Sequence, residues 1–520
     1  MEKKLDAAGL WRLYRRGVDS HSREQLYDRT ARAFRFFEGD QWHGIESDEQ
    51  LPTLNFIQPT VEYKTAMVAM QNLSIYYSPL DPTAFPGSEE VCRSLNLYAA
   101  KQWEHNKMDS LLWDAVREAC IAGDSYLFFY DSRQHAQIVS NTSLYLADET
   151  QRDIQKQRYI IIAERRPIEE VRREARANGI KKEDIDLILS DGDTDTVVSS
   201  RNADDSSADD MCTCILYMRR GEDGFIYFTR SVRNVIYQPE QCLKGLRLYP
   251  IASFAWLPKK GSARGVGEVV PLIQNQIEVN RLLARRLISA KLNAFAKPVY
   301  VENMLENPED AENVGRAIRI KTGSVQRVND IFTYVSPAPM SGEAAALQNE
   351  LISKTQELSG AGDAALGMIN PEKASGAAIL AVQDQSAIPL NGQIAAYKQL
   401  VEDIALVWFD LLCAYHTEGL TVDRALPEGG TERTEITPLA LESLKVSVRI
   451  DAAPTNPFSR YAREQALSNA LTAGYITFEE WVSAIDTDAS APKAEFERIL
   501  ENRKSEIPSA GTVIDTTEEI

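Results

Sequence analysis

The side chains that could do chemistry in this 520-residue chain fall into incomplete groups. Cys212 and Cys214 stand two apart in a strand-like stretch, so their thiols share a face and would form half of a thiolate metal site. No second pair and no nearby histidine completes it, and ordinary packing is the plainer reading. Asp191-Gly-Asp193-Thr-Asp195 alternates like the opening of a calcium loop, but the glycine of the sixth position and the glutamate of the twelfth are missing. Gly261-Ser-Ala-Arg-Gly265 lacks the lysine and the strand-to-helix placement of a phosphate-binding loop. His21, His43, His105, His135 and His416 are scattered without metal spacing. These gaps count against an ATPase or nuclease, and neither a cofactor nor a metal nor an enzymatic activity is expected.

Two features remain. Between Ser359 and Ser375 the chain carries Gly360, Gly362 and Gly367 with Asp363, Met368, Asn370 and Pro371, a composition that resists continuous helix and can change shape at low cost. Between Lys259 and Lys297 there are eight Lys or Arg (Lys259, Lys260, Arg264, Arg281, Arg285, Arg286, Lys291, Lys297) against Glu268 and Glu278, a net of +6 in a chain of formal charge −19. An acidic chain is disfavoured as a tight, static binder of nucleic acid; an acidic wall instead repels phosphates and leaves no deep well to trap DNA that slides past.

These residues need long supports. Apolar content of 44 % fills two or more packed regions in a chain too long for one core. No window approaches the ~18 consecutive apolar residues of a membrane span. The basic N-terminus lacks a signal peptide's apolar core, so synthesis and retention in a cytoplasm are expected. Six cysteines, mostly far apart, do not make a disulfide framework. Helical spacing marks residues 23–37, 57–75 and 88–122, and Ser125–Tyr130 and 158–164 read as strands. Residues 183–210 hold ten Asp or Glu against one Arg, which reads as a solvated or disordered stretch. Alternation at Cys212–Met218, Phe225–Phe228 and Val235–Tyr237 predicts a small antiparallel sheet. From Pro271 to about Ala296 an unbroken apolar stripe predicts a helix of about 26 residues, or about 40 Å. A compact insert with strand-like ends (298–339) precedes a second helix at 342–358. After Ser375 helical spacing runs to about Tyr415, roughly 60 Å, with a kink expected at Pro389 and Gly392. A strand-rich return at Leu444–Ile450 and helices at 457–472, 477–485 and 492–504 follow, and 505–520 is a loose acidic tail. The fold class is α+β, mainly helical.

The order of long helix, small insert, shorter helix, glycine-rich loop and long kinked helix resembles that of the portal proteins of tailed phages and related prophages. Local motifs carry the likeness further: Phe36-Phe-Glu-Gly-Asp-Gln-Trp42 with Leu54-Asn-Phe-Ile-Gln-Pro59 behind it, Gly265-Val-Gly-Glu268 opening a helix with Gln276 and Asn280, and Ser375-Gly-Ala-Ala-Ile379. The resemblance implies a ring subunit, usually of a dodecamer, around a central channel. Residues 1–265 with the return at 416–455 would be the wing, 266–297 and 340–358 the stem helices, 298–339 the clip and 359–374 the tunnel loop. Residues 375–415 would be the long kinked helix and 456–504 the crown.

It further implies a place at a capsid vertex of the virion, after assembly in the host cytoplasm. Partners would be the terminase large subunit and then a head–tail adaptor at the clip, the major capsid and scaffold proteins at the wing, and double-stranded DNA passing without sequence preference; no membrane is involved. In such a ring Arg281, Arg285 and Arg286 suit pairing between subunits, and Lys354 is a candidate to face the channel, where isolated cations would touch phosphates weakly. The rival reading is a structural adaptor or scaffold that conducts nothing.

Overall fold

The computed structural model describes residues 5–46, 51–70, 72–81, 86–191, 211–294, 297–307, 309, 317–321, 327–335, 342–361, 388–425, 431–453, 467–484, 495, 496 and 498. The chain divides into two compact units, one of Met1–Ala69 with Ile75–Arg449 and one of Met70–Ser74 with Ile450–Ile520. Helices and small antiparallel sheets mix in the first unit, which makes the class α+β. Among the described residues no helix is long and apolar enough to cross a membrane.

The first unit opens with α1 (Ala7–Arg23), whose N-cap Asp6 accepts from Gly9 N at 2.8 Å. Its stripe Leu10, Tyr14 and Val18 is buried against Tyr145, Ile161, Ala163, Ile215 and Tyr217. Those residues belong to a five-stranded sheet of order β4 (Leu144–Leu146), β5 (Tyr159–Pro167), β6 (Met211–Arg220), β7 (Ile226–Ser231) and β8 (Ile236–Cys242). Alternation along β6 sends Ile215 and Tyr217 to α1 and Cys212 and Cys214 to the opposite face. There the two thiols pack with Val171 and Ala175 of α6 (Ile168–Ala177). Residues 183–191 depart from the solvated stretch expected there: α7 (Lys182–Ile185) forms, and Ile185 and Ile188 are buried in the α6 cluster. Two apolar side chains with a ready pocket outweighed the acidic composition around them. Asp191 then ties to Arg165 and to Thr213 N (2.9 Å); residues 192–210 lie outside the described residues.

A second layer holds α2 (Leu26–Glu38), α3 (Ile57–Ala69), α4 (Ser88–His105) and α5 (Met108–Ala122). The helical run expected over 57–75 stops at Ala69, and β1 (Asn72–Pro79) follows. The run expected over 88–122 is two helices, because Lys107 adopts φ +52° between them. A three-stranded sheet, β3 (Ala136–Ser140), β2 (Asp124–Phe129) and β9 (Ile251–Ala255), packs on α5. β10 (Leu257–Pro258) and β11 (Gly265–Val266) pair and lead into α8 (Val269–Ala294). β12 (Lys297–Tyr300) and β13 (Phe332–Val335) form an antiparallel pair, α9 (Gly342–Ser359) follows, and α10 (Asn391–Tyr415) packs on β9. β14 (Leu420–Ala425) and β15 (Thr431–Ile436) form a hairpin, α11 (Pro438–Ser443) follows, and β16 (Val446–Ala453) pairs with β1. In the second unit α12 (Phe478–Ala484) starts with a reciprocal cap: Thr477 N donates to Glu480 Oε2 at 2.8 Å and Glu480 N donates to Thr477 Oγ1 at 3.3 Å.

The root of α8 allows no side chains. A Cβ on Gly265 would overlap the Gly123 carbonyl, and one on Gly267 would overlap the Ile121 carbonyl. Gly123 itself sits at φ +116°, a conformation that L residues rarely adopt. Gly265→Ala or Gly267→Ala is therefore expected to cost about 2 kcal/mol or more through forced backbone shifts. Gly342→Ala, which meets nothing within 4 Å, is expected to leave stability unchanged; thermal melts of the three variants check both statements.

Candidate functional site: a long helix pair rooted in a buried polar network

The loop before α8 delivers Arg264 into the protein core, where it is 2 % exposed. Its Nε donates to Glu149 Oε2 (2.9 Å) and Nη2 to Glu149 Oε1 (3.0 Å) and to the Leu144 carbonyl (2.7 Å). Nη1 donates to the Asn141 carbonyl (3.1 Å) and to the Tyr126 hydroxyl (3.2 Å), and lies 3.4 Å from Asp124 Oδ2. Tyr126 in turn donates to Asp124 Oδ2 at 2.7 Å. A buried cation persists only with such full pairing. Burial opposes ionisation of Glu149, but the Arg264 charge outweighs it and holds that carboxyl down at about 2. Burial also lowers His21, assisted by Arg264, so its ring is neutral at pH 7 and accepts from Arg264 Nη2 at 2.8 Å. One side chain thus joins α1, β2, the turn before β4 and the segment entering α8.

Two further contacts fix the helix itself. Lys64 Nζ of α3 meets Glu268 Oε1 at 2.6 Å, and Trp256 Nε1 donates to Glu268 Oε2 at 3.2 Å. Two turns on, Gln276 Nε2 donates to the Leu54 carbonyl (2.7 Å) while its Oε1 accepts from Phe56 N (3.2 Å). Asn280 Oδ1 accepts from Leu54 N (3.1 Å), and Asn280 Nδ2 donates to Gln41 Oε1. Gln41 closes the circuit by donating to the Phe36 carbonyl at 2.9 Å. The motif at 36–42, the motif at 54–59 and the polar pair at 276 and 280 are therefore one hydrogen-bonded unit.

From Asn275 onward the helix runs antiparallel to α9, and beyond Asn280 it leaves the support of the amide network. Asn275 Nδ2 donates to Thr355 Oγ1 (2.8 Å) and Arg286 Nη1 to Gln348 Oε1 (2.6 Å). Arg281 is exposed and paired with Glu278 at 2.7 Å; Lys354 is exposed and paired with Glu357 at 2.8 Å. Arg285 is exposed, with no carboxylate partner among the described residues. The pair therefore presents cations largely balanced by neighbouring acids. It also presents Leu287 (44 % exposed), Ile288 (43 %), Leu347 (48 %) and Leu358 (86 %) to solvent.

α9 ends in a glycine cap: Gly360 at φ +77° donates to the Glu357 carbonyl, and Ala361 N to the Gln356 carbonyl, each at 3.0 Å. Gly362, Asp363, Gly367, Met368, Asn370 and Pro371 lie outside the described residues. Pro389 occupies a 3-10 turn at Ile388–Leu390, and Gly392 is the second residue of α10. In the sequence Arg264 is one more charge of a basic stretch; its setting just before Gly265-Val-Gly267, where backbone meets backbone, is the signal for its burial. Local spacing does not point to Asp124 or Glu149 as partners of Arg264, nor to Lys64 as the partner of Glu268.

The family model of the phage P22-like portal protein matches residues 12–506. The chain belongs to this family. No curated protein matches it. The portal match spans every member of the network and both long helices.

Next to the network this portal chain holds one carboxyl near neutrality. Burial, with a contribution from Asp124, raises Glu118 from 4.5 to about 7 against a hydrogen bond from Ser140. Because the folded-state value lies above the ordinary one, ionisation opposes folding: the cost is absent below about pH 4.5, grows up to about pH 7 and is complete above it. Glu118→Gln is expected to raise Tm at pH 8 and to lose that advantage near pH 4.5; a pH-independent difference would contradict the assignment.

Proposed function

We propose that this portal chain is the subunit of a ring, usual count twelve, that forms the DNA channel at a capsid vertex. α8 and α9 serve as the stem walls. Residues 298–339 form the clip, 359–374 the tunnel loop, 375–415 the long kinked helix, 1–265 with 416–455 the wing and 456–504 the crown. Double-stranded DNA passes inward during packaging and outward at ejection. The terminase large subunit docks at the clip and later gives way to a head–tail adaptor, while capsid and scaffold proteins meet the wing. The role is structural and not catalytic.

The observation that carries this reading, beside the family match, is the asymmetry of the helix pair. One face of the first half of α8 is buried in its own subunit, whereas Leu287, Ile288 and Leu347 stay nearly half exposed there and Leu358 is 86 % exposed. Fully burying such a side chain contributes about 1.5–3 kcal/mol, and closing a circle repeats that gain at every junction. Arg281 and Arg285 then face neighbouring subunits, and any of these cations that reaches the bore contacts phosphate without reading sequence. The acid-balanced surface leaves DNA free to move.

Negative-stain microscopy of the purified chain tests this. Annular particles with an open central channel are expected. Leu287→Glu with Leu347→Glu is expected to reduce the annular fraction about tenfold or more, since charges would be buried at each junction, while the subunit's own melt stays within ~2 °C because both sites are exposed in it. Stable monomers, or closed particles without a channel, would sink the proposal and favour a non-conducting adaptor.

A further inference from the structure

Away from the stem, the first unit contains a cleft of about 550 Å³ between α10, β9 and the 3-10 turn at Ile154–Lys156. Such a volume lies in the range of small-ligand sites. Its walls mix apolar side chains, Phe254, Ala396, Leu406 and Val407 among them, with the polar Gln155 and Ser253. Two carboxylates open into it, Asp153 from the turn and Asp403 from α10. Exposed Arg152 is the one basic residue of the lining.

The two acids differ. Asp153 is met by exposed Lys156 at 3.1 Å and accepts from Gln155 N. Asp403 accepts from Gln399 Nε2 at 3.1 Å, one turn back on its own helix, and among the described residues no basic side chain comes within ion-pairing distance of it. Burial, together with the charges of Glu402 and Asp153, raises its pKa. A half-buried acid under negative potential in a partly apolar cleft lacks a counter-charge, and a cation on a hydrocarbon chain supplies that charge together with an apolar surface.

We propose that this cleft binds an alkyl ammonium group, with nitrogen at Asp403 and the carbon chain along Phe254, Leu406 and Val407. The group is either that of a free aliphatic diamine or that of a lysine side chain in a partner segment. Such binding requires neither ring formation nor DNA.

Isothermal titration of the full chain at about 0.15 M salt separates the sources, with 1,4-diaminobutane in one arm, acetyl-Leu-Lys-Leu-amide in the second and butane-1,4-diol as the uncharged control. Saturable one-to-one binding of the diamine, or of the peptide alone, is expected, and it assigns the source. It should weaken about tenfold or more in Asp403→Asn, which loses a charge-assisted bond, and likewise in Ala396→Phe, which fills the cleft and leaves the acids in place. Asp403→Asn should keep the parent's melt, because the folded state already disfavours the ionised form. No saturable binding in either arm, equal binding of the diol, or binding unchanged in both variants would overturn the proposal, the last by showing a general attraction to an acidic chain.

Discussion

A guanidinium with almost no access to water, set one residue before glycines that touch another backbone, governs the rest of this molecule. Arg264 cannot leave its pocket without stranding Asp124 and Glu149, and removing one partner of a buried pair commonly costs about 3–5 kcal/mol. Gly265 and Gly267 cannot move away from Gly123 and Ile121 without opening a gap in the core. The chain therefore enters α8 at a fixed point and in a fixed direction. Lys64–Glu268 and the amides of Gln41, Gln276 and Asn280 hold the next three turns.

This arrangement separates two tasks along one helix. The buried half is tied to the helices and strands beneath it, while the outer half, with α9, presents part-exposed apolar side chains and cations paired along the same surface. Amide networks suit the first task because each group has a directional mate, so rotation or sliding of α8 would break several bonds together. Scattered leucines and short-range ion pairs suit the second, since they gain from contact and demand little geometry.

Most of the framework was legible in the residues. The apolar stripe from Pro271 gave α8 nearly its observed bounds, and period-two alternation located β6 to β8. Gly360 marked the end of α9. What escaped notice had a physical cause. Ala69 ends α3 at a point with no sequence punctuation, and β1 finds its partner β16 more than 350 residues away, so local pattern could not call for it. Ile185 and Ile188 sit in acidic surroundings whose average concealed them. Arg264 looked like surface because burial of a charge depends on partners 115 to 243 residues distant, which single-chain spacing does not encode.

Hydrogen–deuterium exchange along α8, compared between isolated subunit and assembled particle, distinguishes the two halves of the helix. Strong protection of residues 269–280 is expected in both states, and protection of 285–294 is expected to rise sharply only on assembly. Equal protection of the two halves in the isolated subunit, or an outer half that stays unprotected in the particle, would contradict this division.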